Sequence, residues 1–166
     1  FKVIDLLRRA DINVIVAGEN DMVTCSRGVR IIPDVLLSDI NDFEIFNAII
    51  LPGGTQGVDN FLENDHLVEL VKFNIKKGNL IGAICAAPLF LTNKNLIDES
   101  VLITSFPDTQ AEIHHKNYSE DDVVVSGNII TSRGPGTAID FSLKLIELIT
   151  DKATAQKVAS EICYKI

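Results

Sequence analysis

Short apolar runs of strand length alternate along the chain with longer amphipathic segments. The early runs, rich in Val, Ile and Leu, lie at residues 12–17, 48–51, 80–84 and 101–104. Two later runs, at residues 123–125 and 129–131, are joined by Ser-Gly-Asn, which favours a β-hairpin. Apolar residues fill nearly every position of these runs, as is typical of strands covered on both faces in parallel sheets.

The amphipathic segments predict helices. Residues 65–77 place Leu and Val on one stripe and are followed by Gly78, a residue type common at helix C-caps. Residues 1–10, 137–149 and 152–163 predict three further helices. Residues 22–38 are β-like but contain two breakers, Gly and Pro, and predict an appended hairpin.

These elements predict a single α/β domain. Their order is helix, strand, hairpin, strand, helix, strand, helix, strand, helix, hairpin and two helices. Strands that alternate with crossover helices imply a doubly wound, mostly parallel sheet with helices on both faces. In such sheets the ligand crevice lies at the carboxyl ends of the strands, which draws attention to the loops at 52–57, 85–88 and 132–137.

Composition narrows the class of protein. The chain has 166 residues, enough for one domain with its own core, and a formal net charge of −8. This acidic balance excludes nucleic acid and anionic membranes as expected partners. No apolar run approaches the roughly 18 residues of a membrane span, and no signal peptide is visible in the sequence. Three scattered cysteines suit neither a disulfide framework nor a Cys-x-x-Cys site and predict a reducing cytoplasm.

Cys85 is the strongest candidate for chemistry. It directly follows a buried-type strand and precedes Ala86, Ala87 and Pro88, and these small residues permit a sharp strand-to-helix turn. A side chain at such a bend is displayed above the sheet, as in a hydrolase nucleophile elbow. Amide N–H groups at a helix start favour the thiolate, which makes the sulfur more nucleophilic and more oxidisable. The alternative is a buried, inert cysteine, the usual fate of free Cys.

The loop at residues 52–57 offers unobstructed backbone N–H groups. Paired glycine amides, here Gly53 and Gly54, can hold an oxyanion or a carboxylate, although a plain turn explains the same sequence. The loop is neither a dinucleotide fingerprint nor a P-loop. Neither these motifs nor the spacing of the His and Cys residues predicts a cofactor or a metal site.

Other candidates carry weaker signals. Arg133 opens a stiff Gly-Pro-Gly loop and could hold an anion, contact another subunit or remain solvated. The pair Ser26-Arg27, next to Cys25, raises the same question. Cys25 and Cys163 are predicted to be packing residues because no dipole or tight turn activates them.

Taken together, the segments 51–54 (LPGG), 83–88 (AICAAP) and 132–137 (SRGPGT) resemble the ThiJ/PfpI superfamily. Within it, the chain is similar to the branch that contains the parkinsonism-associated protein deglycase and its bacterial relatives. The resemblance extends in order over essentially the whole chain.

This resemblance implies a flavodoxin-like fold, a homodimer and Cys85 as a reactive, oxidation-sensitive nucleophile. It further implies that Gly53, Gly54 and Ala86 supply the anion-binding amides. It also implies supporting roles for three arginines near the site: Arg27, Arg9 and Arg133. Of these, Arg27 would reach towards the pocket of the partner subunit. Activities proposed for such proteins are glyoxalase-type conversion of methylglyoxal to lactate, removal of early glycation adducts, and redox-regulated chaperone action.

The chain departs from the family pattern in two places. The family's first strand, and a Glu that meets the nucleophilic cysteine, would precede Phe1; we therefore expect roughly 20 further residues there, supplying a strand between residues 12–17 and 48–51. Some relatives carry His before the proline equivalent to Pro107, where this chain has Phe106. A His base is then unavailable from that position.

Two functional hypotheses share the predicted site. The first is a cofactor-independent enzyme in which Cys85 attacks small reactive carbonyls. The second is a stress-protective redox sensor or chaperone in which Cys85 is oxidised to sulfinate without physiological turnover. A peptidase is disfavoured because Ala86, not His, follows the cysteine. An amidotransferase is disfavoured because no His-x-Glu follows His114 or His115.

Overall fold

The computed structural model describes residues 1–165, except for the side chain at position 44. The helices are α1 (Lys2–Arg9), α2 (Thr55–Glu63), α3 (Asp65–Lys77), α4 (Pro88–Asn93), α5 (Ala138–Ile149) and α6 (Lys152–Glu161). The strands are β1 (Ala17–Gly18), β2 (Val23–Thr24), β3 (Arg30–Ile31), β4 (Val35–Leu36), β5 (Ala48–Leu51), β6 (Leu80–Ile84), β7 (Val123–Ser126) and β8 (Ile129–Ser132). Single 3₁₀ turns lie at Leu37–Asp39, Phe43–Ile45, Pro107–Thr109 and Pro135–Thr137.

The central sheet has the order β5-β6-β8-β7. β5, β6 and β8 run parallel, and only the hairpin strand β7 runs antiparallel to β8. Leu51 lies beside Ala83, which lies beside Thr131, so these three parallel strands end at the same edge. The predicted mostly parallel α/β sheet is confirmed.

Helices cover both faces of this sheet. On one face, α2, α3 and α4 pack through apolar side chains around the fully buried Phe90. On the other face, α1, α5 and α6 pack around the fully buried Phe141. Gly82 in β6 permits this second contact, because a Cβ there would lie 2.9 Å from the Phe141 ring. No helix within residues 1–165 has the length and apolar character needed to cross a membrane.

The helix α3 shows why its bounds were readable from the sequence. The Asn64 side chain accepts a hydrogen bond from the Leu67 N–H (3.0 Å) and caps the first turn. Gly78 ends the helix in the left-handed conformation with φ of 82°. The predicted helix over residues 65–77 is therefore confirmed at both ends.

The strand predicted at residues 12–17 is wrong over most of its length. Only Ala17 belongs to a strand, in the two-residue pairing of β1 with β4. Within residues 12–16, only the Val16 carbonyl bonds to the backbone of the β4 segment, accepting from the Asp34 N–H (2.7 Å) and the Val35 N–H (3.3 Å). Side chains hold other parts of this segment: the Asp34 carboxylate accepts from the Val16 N–H (2.8 Å) and Arg8 donates to the Val14 carbonyl (3.0 Å). A run of β-forming residues becomes a strand only where a neighbouring strand pairs with it.

The strand predicted at residues 101–104, and the helix predicted after it, are also wrong. Ile103 makes only an isolated bridge with Tyr118, and a single 3₁₀ turn stands in place of the helix. Side chains replace the missing ladder: the Leu102 N–H donates to Ser126 Oγ (3.1 Å) and the Thr104 N–H to Thr131 Oγ1 (2.9 Å).

Sequence patterns also missed α2, which contains a glycine and several polar residues. Residues 22–38 form the expected hairpin as β2 and β3, followed by β4.

Candidate active site

Cys85 lies at the carboxyl end of β6 in a left-handed backbone conformation, with φ of 66°. This region is sparsely populated by non-glycine residues and costs on the order of 1–3 kcal/mol unless the surroundings enforce it. Two hydrogen bonds enforce it here. The Cys85 N–H donates to the Ser132 carbonyl (2.8 Å), and the Cys85 carbonyl accepts from the Phe106 N–H (2.9 Å). The sharp bend expected at this cysteine is present.

The turn after Cys85 leads directly into α4. The Ala87 N–H donates to the Ile84 carbonyl (3.2 Å), and Pro88 occupies the first turn of the helix, where a missing N–H costs nothing. Ala86 and Ala87 are buried, whereas Cys85 is only partly buried. The bend thus leaves the sulfur-bearing residue accessible above a packed turn.

Gly53 touches the Cys85 turn through its backbone. A Cβ at position 53 would lie 2.5 Å from the Cys85 Cβ, 2.7 Å from the Ile84 carbonyl oxygen and 3.0 Å from the Ala86 nitrogen. No side chain fits in that space, so glycine is required for the loop after β5 to approach the turn after β6. The adjacent Gly54 has φ of 103°, a second conformation that favours glycine.

Three backbone N–H groups at this junction have no hydrogen-bond acceptor among the described residues. They belong to Gly53, Gly54 and Ala86. Gly54 also precedes the first turn of α2, where no side chain caps the helix. Unpaired amides beside a cysteine can stabilise a carboxylate, an oxyanion or an oxidised sulfur. The structure therefore brings together Cys85 and the three amides that the sequence singled out.

The loop at residues 132–137 contacts the turn that begins at Cys85 and holds it in place. Ser132, whose carbonyl holds the Cys85 N–H, is itself fixed by a hydroxyl contact with Thr137 (2.6 Å), and Thr137 Oγ1 accepts from the Gly134 N–H (3.1 Å). Phe106 packs its ring over Gly134, where an added Cβ would lie 3.3 Å from the ring. This loop acts in the structure as a rigid support for Cys85.

The three arginines are not in hydrogen-bonding contact with this group. Arg133 donates to the Glu120 carbonyl (2.7 Å), and Arg9 pairs with Asp5 within α1 (3.1 Å). Arg27 lies exposed at the tip of the β2–β3 hairpin and makes no ion pair among the described residues. Their supporting roles stay predictions.

Two groups with shifted pKa values, Tyr164 and Asp98, lie outside this group of residues. A hydrogen bond to the Asp140 carboxylate raises the pKa of Tyr164, and a backbone hydrogen bond from Ser100 lowers the pKa of Asp98. Neither group is hydrogen-bonded to Cys85 or to the three amides. Within the described residues, no three His, Cys, Asp or Glu side chains form a group that could hold a metal.

Sequence reasoning named Ser26 only together with Arg27 and did not place it beside the loop after β5. A Cβ on Gly54 would lie 3.8 Å from the Ser26 Cβ and 3.9 Å from its hydroxyl oxygen. The sequence drew attention to this segment through Arg27, because nothing local shows that the hairpin tip folds back over the loop after β5. That contact exists only in the folded chain.

Fold and site together define a class: α/β proteins with a cysteine on a strained strand-to-helix turn beside a glycine amide pocket. The DJ-1/PfpI family profile matches residues 1–148, and the chain belongs to the DJ-1/PfpI family. It is 41% identical to Protein dj-1beta of Drosophila melanogaster over 159 residues, covering 93% of this chain and 84% of the relative. It is 38% identical to the glutathione-independent glyoxalase DJR-1.2 of Caenorhabditis elegans over 161 residues, covering 96% and 85%.

Solved structures agree with the family assignment. Drosophila melanogaster DJ-1beta superposes with a TM-score of 0.92 at 37% identity, covering 99% of this chain and 90% of the other. Toxoplasma gondii DJ-1, described as oxidized, superposes with a TM-score of 0.93 at 35% identity and the same coverage. The DJ-1 fold of this chain is thereby established.

Proposed function

We propose that this protein is a cysteine-dependent stress-protective enzyme that acts on small reactive carbonyls, in the manner of a glyoxalase or deglycase. The observation that carries the proposal is the strained Cys85 turn beside three unpaired amides. A relative described as a glutathione-independent glyoxalase, 38% identical, supports the same chemistry.

In the first step, the Cys85 sulfur attacks the aldehyde carbon of the substrate. A carbon–sulfur bond forms, the carbonyl π pair moves onto oxygen, and protonation of that oxygen gives a hemithioacetal. The amides of Gly53, Gly54 and Ala86 stabilise the developing oxyanion by hydrogen bonding. Conversion of methylglyoxal to lactate then consumes one water and needs neither an oxidant nor a cofactor.

The test is methylglyoxal consumption and lactate formation by wild type, Cys85→Ser and the matched control Cys163→Ser. Cys163 is an exposed free cysteine after α6, so its replacement should leave turnover unchanged. We expect Cys85→Ser to lose at least a hundredfold in kcat/KM. Turnover that survives in Cys85→Ser would refute the proposal.

A second candidate function, redox sensing with chaperone action, rests on the same site and on the relative described as oxidized. Peroxide would oxidise Cys85 to a sulfinate whose oxygens accept from the same amides. Peroxide-dependent sulfinate at Cys85, seen by mass spectrometry, together with no methylglyoxal turnover in wild type would favour this candidate. All three cysteines are free in the structure, which supports a reducing compartment such as the cytoplasm.

We also propose a homodimer formed through the β2–β3 hairpin. Large apolar side chains are exposed in the hairpin and directly beside its two ends: Met22, Val29 and Ile32, the last 80% exposed. A second copy of the chain would cover them and receive Arg27, which makes no ion pair with any residue that the structure describes. Sedimentation should show a dimer for wild type and a monomer for Ile32→Asp, whereas Val125→Asp, on a different exposed strand, should remain dimeric.

A further inference from the structure

The tip of the β2–β3 hairpin is a hydrogen-bonded turn that positions Ser26. The Cys25 N–H donates to the Val29 carbonyl (2.8 Å), and the Gly28 N–H donates to the Cys25 carbonyl (2.9 Å). Gly28 adopts φ of 79°, which a larger residue would resist. Ser26 and Arg27 are therefore the two central residues of the turn, and neither is free to slide along the hairpin.

Ser26 borders the open space at Gly54. Gly54 has no side chain, which leaves a gap between its backbone and the Ser26 side chain. A Cβ added to Gly54 would fill this gap and would lie 3.9 Å from the Ser26 hydroxyl oxygen. Gly54 carries one of the three unpaired amides. The Ser26 hydroxyl is exposed and makes no hydrogen bond with any described residue.

We propose that Ser26 is a substrate-positioning residue that makes the site selective for α-oxo aldehydes. The inference rests on the proposed carbonyl chemistry. When the aldehyde oxygen accepts hydrogen bonds from the amides of Gly53, Gly54 and Ala86, the oxygen on the adjacent carbon needs a polar partner of its own. A hydroxyl serves both as donor to a ketone and as acceptor from an alcohol, so it can follow that oxygen as the ketone is reduced to the alcohol of the product.

This role predicts discrimination between two aldehydes of similar size. Methylglyoxal has the second oxygen, and propanal lacks it. The Ser26 hydroxyl should therefore stabilise the Cys85 adduct of methylglyoxal and contribute nothing to the adduct of propanal. A structural role of Ser26 in the hairpin would change both adducts alike.

The first measurement is steady-state turnover of methylglyoxal by Ser26→Ala. We expect KM to rise about fivefold to tenfold with kcat changed less than twofold, as for the loss of one neutral hydrogen bond. Ser26→Thr, which retains a hydroxyl, should recover most of the loss. Ser160→Ala, an exposed serine on α6, is the matched control and should behave as wild type.

The second measurement does not require turnover. Equilibrium formation of the Cys85 hemithioacetal is followed by intact-protein mass spectrometry with methylglyoxal and with propanal. Methylthiolation of Cys85 by methyl methanethiosulfonate, which gives a Cys85–S–SCH3 disulfide and releases methanesulfinate, checks that the sulfur remains reactive in each variant. We expect Ser26→Ala to weaken the methylglyoxal adduct about fivefold to tenfold and to leave the propanal adduct and the methylthiolation rate unchanged.

The outcomes separate the two proposals. If wild type forms no adduct with either aldehyde, the carbonyl function fails and the role of Ser26 fails with it. If wild type forms adducts but Ser26→Ala weakens both equally or neither, only the role of Ser26 is refuted. A selective loss with methylglyoxal, recovered in Ser26→Thr, supports it.

Discussion

The carboxyl edge of the central sheet and the segment at residues 12–36 differ in how their backbones are held. At the sheet edge, Cys85 is fixed by backbone bonds to Ser132 on one side and Phe106 on the other. In residues 12–36 the strands are two residues long, and the side chains of Arg8 and Asp34 hold parts of the backbone in place of a ladder. The sheet edge can therefore enforce a strained backbone conformation, whereas residues 12–36 have few backbone hydrogen bonds that could do so.

This difference gives a physical reason for the position of Cys85, the residue that we propose to be reactive. A cysteine keeps a left-handed backbone conformation only where contacts from neighbouring elements fix its backbone. The parallel strands β5, β6 and β8 supply such contacts at one edge of the sheet. The hairpin, with few backbone bonds, suits a surface that binds a substrate or a second subunit. The predictions below test this contrast.

The largest effect is expected for Gly53→Ala. The new methyl group would lie 2.5 Å from the Cys85 Cβ and also against the Ile84 carbonyl, which is backbone and cannot give way. We expect a loss of about 3 kcal/mol in the free energy of unfolding, the upper range for overpacking, together with loss of reactivity at Cys85. Urea denaturation and alkylation of the variant measure both.

Gly57→Ala is the matched control for that substitution. Gly57 lies in α2, has ordinary helical backbone geometry and has nothing within 4 Å of its added Cβ. Alanine there should stabilise the protein by about 0.5–1 kcal/mol. Equal destabilisation by both substitutions would show that the close contact at Gly53 is not what matters.

A second effect concerns the three cysteines. If the Cys85 turn activates its sulfur, iodoacetamide at neutral pH should modify Cys85 at least tenfold faster than Cys163, although Cys163 is the more exposed. Peptide mass spectrometry of a time course gives the three rates in one sample. Faster reaction at Cys163 would mean that exposure alone governs reactivity and that the bend adds nothing.

These two regions also mark how far the sequence could predict the molecule. The alternation of apolar runs and amphipathic segments predicted β5, β6, α3 and the hairpin β7–β8, because each satisfies its own local pattern. The small residues around Cys85 predicted the sharp bend, and with the glycine pair they indicated the candidate site, since a tight turn and a backbone approach both need residues without bulk. The family resemblance then linked the separate loops.

What the sequence could not predict depends on contacts between distant segments. Residues 12–16 have the composition of a strand but no partner strand among the described residues, so composition misled. On β5, the backbone groups of Ala48 and Ile50 point away from β6, because Leu80 bonds the Asn47 carbonyl, and they too have no backbone partner in the described range. The strand expected between these segments stays a prediction. The contact between Ser26 and Gly54 was missed for the same reason, since only folding brings the hairpin tip to Gly54.

A third effect tests the buried support behind the Cys85 turn. Thr104 and Thr131 are fully buried, and Thr131 Oγ1 accepts from the Thr104 N–H (2.9 Å). Thr131→Val would leave that N–H without an acceptor and should cost about 1–3 kcal/mol. The Thr104 hydroxyl has no partner in the described structure, so Thr104→Val should be neutral or stabilise by about 1 kcal/mol. Thermal unfolding of both variants checks this opposite ordering, and a cost for Thr104→Val as large as for Thr131→Val would contradict it.

The smallest effect is expected in the weakly held region. The Asp34 carboxylate accepts from the Val16 N–H and pairs with Arg8 (3.0 Å). Both charged side chains are about half exposed, Arg8 at 51% and Asp34 at 48%, so solvent screens the ion pair. Asp34→Ala should therefore cost only about 1 kcal/mol, with Asp39→Ala as an exposed nearby control. Because β1 and β4 have few other bonds, the loss should be local: amide hydrogen exchange should accelerate at Val16 and Val35 and stay unchanged at Ile81 and Ala83 in β6. Faster exchange in β6 as well would mean that residues 12–36 and the carboxyl edge of the sheet unfold as one cooperative unit, and the contrast between the two regions would then not hold.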